Sequence, residues 1–92
     1  MIEQSNYFPF FSEKLKRVLK KLEKKDRQAL RQIEEQINKI LNNPETGKPL
    51  RYDMKQLRRV HIGSFVLVYK ILGNEIRFLD FDHHDKVYKV KS

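Results

Sequence analysis

Cysteine is absent from all 92 residues, which excludes a disulfide framework, a thiolate metal site and a redox nucleophile. Long apolar runs are absent too. The longest, 65–72, is interrupted by Lys70 and is far shorter than the roughly 20 residues a membrane helix needs. The N-terminus has no basic stretch leading into an apolar core, so no signal peptide is expected. These absences suit a soluble cytoplasmic chain with no membrane partner. Nucleophile elbow, glycine-rich phosphate loop, C-x-x-C and H-E-x-x-H are all missing. Acidic charge is in short supply, with 12 carboxylates against 20 Lys and Arg and a net charge of +8. That balance favours a polyanionic partner such as nucleic acid, since each neutralised phosphate releases counterions. A merely solubilising surface is the plainer reading of the same charge. The distribution favours an interaction surface: nine bases fall in 14–31, opposed only by Glu23 and Asp26.

Three glycines are enough to organise the C-terminal half. Gly63-Ser64 and Gly73-Asn74 separate three runs rich in β-branched and aromatic residues, a strong hairpin signal. The spacing predicts a three-stranded antiparallel meander over 56–62, 65–72 and 75–81. Two-residue loops set Ile62 against Phe65 and Leu72 against Glu75. One face then gathers Val60, Ile62, Phe65, Leu67, Tyr69, Ile71, Ile76 and Phe78. The other gathers Arg59, His61, Val66, Val68, Lys70, Arg77, Leu79 and Phe81. The first is a core awaiting helices, and the second is mixed basic and apolar.

Residues 1–11 carry Y-F-P-F-F, expected to form an irregular segment or an edge strand because Pro9 disfavours a central one. Ser12 suits an N-cap. Phe11, Leu15, Val18, Leu19 and Leu22 recur at helical spacing, with Lys14, Lys16, Arg17, Lys20 and Lys21 opposite. Asp26 caps a second helix whose apolar stripe, Ala29, Leu30, Ile33, Ile37, Ile40 and Leu41, stops at Asn42-Asn43-Pro44. The two helices form a hairpin over the meander's apolar face. Residues 42–56 read as a loop carrying Lys48, Arg51 and Lys55. The chain is expected to be one α+β domain over 1–92: an N-terminal edge segment or strand, a two-helix hairpin, and a C-terminal three-stranded antiparallel meander.

Arg59 and His61 share a strand face, so both can touch one ligand. Histidine exchanges protons near neutral pH and arginine grips a phosphate in two places. Equally, both suit the solvated face of a half-covered sheet. The tail Asp80-Phe81-Asp82-His83-His84-Asp85 invites a metal reading, but contiguous residues do not converge as metal ligands usually must, so no metal and no cofactor are expected. Asp80 and Asp82 fall nominally on the apolar face, which signals a strand end, a bulge or a pairing with Arg58. Tyr88 can stack on a base or anchor the C-terminus. Arg, Lys, His and Tyr suffice for metal-independent RNA cleavage, in which the 2′-hydroxyl attacks the neighbouring phosphate. A base takes its proton, cations stabilise the phosphorane and an acid protonates the leaving oxygen.

The order of these features resembles the RelE/ParE superfamily of toxin–antitoxin toxins. Nearly the whole chain takes part: the aromatic N-terminal segment, the helical hairpin, the P-L-R loop, the R-x-H-I-G-x-F-x-L-V-Y-K meander and a terminal H-x-x-x-Y. The resemblance implies a ribosome-dependent mRNA interferase that inhibits translation and is neutralised by a RelB-like antitoxin. Arg51 matches a basic loop position that binds RNA, and Arg59 a basic strand position of the RelE site. His61 stands where RelE has lysine and the YafQ branch a functional histidine. His84 stands where RelE has a catalytic arginine and YafQ a catalytic histidine. Tyr88 matches the aromatic that stacks on the substrate base. Lys48, Lys55 and Arg58 join Arg51 as RNA-binding residues, and Lys14, Arg17, Lys20, Lys21 and Lys24 form a basic face for ribosomal RNA. One departure stands out, Val66, where many RelE toxins carry an active-site arginine. The alternatives within the fold are a ParE-like gyrase inhibitor and a catalytically degenerate RNA-binding member.

Overall fold

A computed structural model describes residues 6–51 and 54–89, with side chains for 6–49 and 56–87. Its elements are β1 (Phe8–Phe11), α1 (Glu13–Lys25), α2 (Arg27–Asn42), a 3-10 turn (Pro44–Thr46), β2 (Lys48–Arg51), β3 (Met54–Ile62), β4 (Phe65–Leu72), β5 (Glu75–His83) and α3 (His84–Lys89). Both expected caps are present. The Ser12 hydroxyl accepts from the Leu15 N–H at 3.0 Å, and Asp26 accepts from the Ala29 N–H at 3.1 Å. Each satisfies an N–H that the first helical turn would otherwise leave unpaired. Gly63 and Gly73 sit at φ 64° and 59°, which the first position of a tight hairpin turn requires and L side chains resist.

The sheet has five strands in the order β1-β5-β4-β3-β2. β1 runs parallel to β5 at one edge, with Pro9 beside Ile76, where a residue without an N–H breaks no central ladder. The opposite edge corrects the expected loop at 42–56. There the 3-10 turn leads into β2, which pairs antiparallel with β3 and sets Lys48 opposite Arg59.

The helical hairpin covers one face. Leu15, Ile33, Ile37 and Ile40 close on Leu67, Tyr69, Ile76, Phe78 and Phe81, all 8% exposed or less. Burying each such aliphatic or aromatic side chain contributes roughly 1.5–3 kcal/mol. Phe81 is the second correction, having been expected on the opposite face. The β4–β5 register shifts between Val68 and Tyr69, so Val68 faces Asp80 while Tyr69 faces Phe78. Leu79 is the extra residue of this bulge, and every residue after it changes sides. Phe81 therefore enters the core, and Asp80 and Asp82 leave it.

Candidate nucleic-acid site

The face turned away from the helical hairpin carries the candidate chemistry. Strand register forms one row across it from Lys48 through Arg59 and Val68 to Asp80. The next row runs from His61 through Val66 to Asp82. Thr46, Lys48, Arg59, Val60 and His61 line a shallow cleft of about 270 Å³ at the β2–β3 end. Two cations and an imidazole thus open onto one space, a set able to bind a phosphodiester and exchange a proton beside it.

Lys48 joins this cleft because of a contact on the buried side of the sheet. The fully buried Tyr69 donates its hydroxyl to the Pro44 carbonyl at 2.6 Å and accepts the Gly47 N–H at 2.8 Å. Burial pushes the Tyr69 phenol above its ordinary value, and the Gly47 N–H and the Arg58 charge oppose that shift. The fit leaves no room for a side chain at Gly47, whose Cβ would stand 2.6 Å from the Tyr69 oxygen and 2.8 Å from the Arg59 carbonyl. Tyr69 and Gly47 therefore pull the end of the 3-10 turn against the sheet, and β2 begins one residue later. Sequence reading assigned Tyr69 to the core and missed this role. Glycine followed by Lys-Pro was the available signal.

Arg58 does not line the cleft with the other cations. It lies opposite Tyr69 in the register, and its guanidinium donates to the Gly47 carbonyl. Nor does it pair with Asp80, which instead meets Lys14 at 3.2 Å. The other Asp80 oxygen, Oδ1, is buried without a hydrogen-bond partner among the described residues. Lys14, Arg17, Lys20, Lys21 and Lys24 are all exposed along α1. Arg51, Lys55 and Tyr88 belong to β2, β3 and α3, and their side chains lie outside the described set.

Val66 and Val68 form a second, smaller core with Leu57 and Val87, so α3 packs over this face. Val66 is fully buried, an apolar seat for α3 at the position where the resemblance leads one to expect a cation. His84 opens α3, and its N–H donates to the Ser64 carbonyl at 3.0 Å. In the register, Val66 separates His61 from Asp82, two positions before His84. Two inter-strand spacings put the His61 and Asp82 backbones about 10 Å apart, and His84 follows at the strand-to-helix junction beyond Asp82.

The three tail residues His83, His84 and Asp85 converge after all, with donor atoms within 4.8 Å of one another. The strand-to-helix junction produces a convergence that contiguous spacing did not suggest. The arrangement is a hydrogen-bonded one. The Asp85 N–H donates to His83 Nδ1 at 3.2 Å, and His84 Nδ1 lies 3.3 Å from the Asp85 carboxylate. No helix among the described residues is long and apolar enough to cross a membrane.

Residues 10–88 match the family model for the ParE toxin of the type II toxin–antitoxin system ParDE. A Methanocaldococcus jannaschii protein named as a candidate toxin, RelE4, is 42% identical over 80 residues, covering 84% of this chain and 85% of its own. An uncharacterised Methanosarcina mazei protein is 39% identical over 85 residues, covering 89% and 99%. Among solved structures, the YoeB/ParE toxin from Agrobacterium tumefaciens superposes with a TM-score of 0.72 at 16% identity, covering 83% of this chain and 96% of that one. YafQ from Escherichia coli superposes with a TM-score of 0.64 at 19% identity, covering 89% and 98%. At these identities the two structures establish the shared fold, and the family match and the archaeal relative establish the lineage. The chain belongs to the RelE/ParE superfamily and is a toxin of the type II toxin–antitoxin class, whose members act opposite an antitoxin.

Proposed function

We propose that this toxin is a ribosome-dependent mRNA endoribonuclease that inhibits translation and is held inactive by a RelB-like antitoxin. The observation that carries the reading is the shared cleft of Lys48, Arg59 and His61, with His84 on the far side of Val66. In this scheme His61 and His84 are the acid–base pair. One removes the proton from a ribose 2′-hydroxyl, and the oxygen attacks the adjacent phosphorus. Arg59 and Lys48 stabilise the negative phosphorane. The other histidine protonates the departing 5′-oxygen, leaving a 2′,3′-cyclic phosphate and a free 5′-hydroxyl. By the resemblance, Arg51 and Lys55 bind the message and Tyr88 stacks on the base beside the cut. The exposed bases of α1, Lys14, Arg17, Lys20, Lys21 and Lys24, suit docking on ribosomal RNA, where affinity is set by phosphate neutralisation.

Induced expression tests the scheme. Wild-type protein is expected to arrest growth with a stop in translation, and the His61→Ala/His84→Ala protein to be tolerated while keeping its circular dichroism spectrum. Undiminished toxicity of that folded double variant refutes the acid–base assignment. The match to the ParE model and the valine at position 66 favour one second reading, a gyrase inhibitor without ribonuclease chemistry. Under that reading, growth arrest comes with DNA damage while protein synthesis continues.

A further inference from the structure

We infer that the ring ladder beside the β3–β4 turn is a stacking platform for a nucleobase of single-stranded RNA, additional to the aromatic at Tyr88. The inference rests on the proposed RNA substrate and adds a binding position to it. Phe65 lies parallel to Phe81, with ring centres 5.2 Å apart and planes 15° from coplanar. The His83 ring meets Phe65 edge-on at 5.7 Å and stacks on His84 at 4.7 Å. Phe81 roots the ladder in the core, while Phe65 is 41% exposed and the two histidines are partly exposed.

This exposure has a particular place in the fold. The other exposed large apolar side chains among the described residues are Phe8, Phe10 and Leu72. Phe8 and Leu72 both lie opposite Glu75, at the other end of β5. Phe65 stands apart from them, with Ile62 opposite it across the turn and the His83 ring against it edge-on. It follows the same turn that His61 precedes, and the His84 N–H ties α3 to that turn. The Phe65 ring lies on the opposite face of the sheet from His61, so a strand leaving the cationic cleft would reach the ladder by rounding the hairpin tip. Every base has a flat face to lay on such rings, whereas a protein partner would need apolar pockets for its knobs.

Anisotropy titration of a single-stranded RNA carrying a 2′-deoxy sugar at the cleavage position tests this, because the probe binds without being cut. Phe65→Leu keeps an apolar side chain but removes the ring, and is expected to weaken binding about tenfold. Phe65→Tyr should restore it. The salt dependence should be the same in all three proteins, since stacking releases no counterions. Equal affinity of wild type and Phe65→Leu overturns the platform and leaves the interferase reading standing. So does a loss accompanied by a changed salt slope, which would mean the cations had moved. Wild-type protein that fails to bind this RNA overturns the platform, whereas the interferase reading, which needs the ribosome, falls only if message on programmed ribosomes stays intact. Unchanged RNA affinity with a weakened antitoxin complex would make the ladder a protein-docking surface and refute the inference.

Discussion

The two faces of the sheet are built of different materials. Beneath the helices, Leu67, Tyr69, Ile76, Phe78 and Phe81 meet four buried helical side chains, and the face is apolar throughout its centre. On the other side two valines are covered by the short α3, and around them lie Lys48, Arg59, His61, Asp80 and Asp82. The first face holds the molecule together. The second has just enough apolar surface to seat a helix turn, and is otherwise lined with charged and imidazole side chains.

Substitutions can separate the two roles. Phe78→Ala is expected to destabilise the fold by about 3–5 kcal/mol through lost burial and a cavity, read by urea denaturation. Val66→Ala on the second face removes two methyl-sized groups and should cost roughly 1.6 kcal/mol before any cavity effect. Equal losses at the two positions would erase the distinction between the faces.

Tyr69→Phe should cost about 1–3 kcal/mol, because it leaves the Gly47 N–H and the Pro44 carbonyl without their partner. It also has a pH signature. The folded-state phenol lies above its ordinary value of about 10 because burial disfavours its anion. The neutral phenol therefore contributes stability that is fully present below about pH 10 and lost as pH rises through the raised folded value. Wild-type stability should fall with pH in that alkaline window more steeply than that of Tyr69→Phe. Matching slopes would mean Tyr69 does not titrate on unfolding.

Neighbouring cations divide along the same line. Lys48→Ala should lower the salt slope of RNA binding by about 0.7, the value for one single-strand phosphate contact. Arg58→Ala should leave the slope unchanged, since its guanidinium serves the Gly47 carbonyl. The smallest effect is expected at the half-exposed Lys14–Asp80 pair, where Lys14→Ala should change stability by about 0–1 kcal/mol, less in high salt.

Much of this was legible in the chain. Gly63 and Gly73 marked both hairpins because only a residue without Cβ takes their backbone angles cheaply, and Ser12 and Asp26 marked both helix starts. Arg59 and His61 were legible as a pair from their two-residue spacing. β2 was not, because Lys-Pro-Leu-Arg beside Gly47 has the composition of a loop, and its place comes from Tyr69, far away in sequence. The bulge at Leu79 was only hinted at by Asp80 and Asp82 falling on an apolar face. Register shifts depend on the partner strand, which local pattern does not contain. The convergence of His83, His84 and Asp85 was hidden for a related reason, since it arises where a strand turns into a helix.

Cleavage of a defined message on programmed ribosomes, with EDTA present, tests the central claim most directly. Wild-type protein is predicted to cut at fixed codon positions, and His84→Ala about 10²–10⁴-fold more slowly. An intact message with folded wild-type protein would contradict the account and leave the second face to a different target.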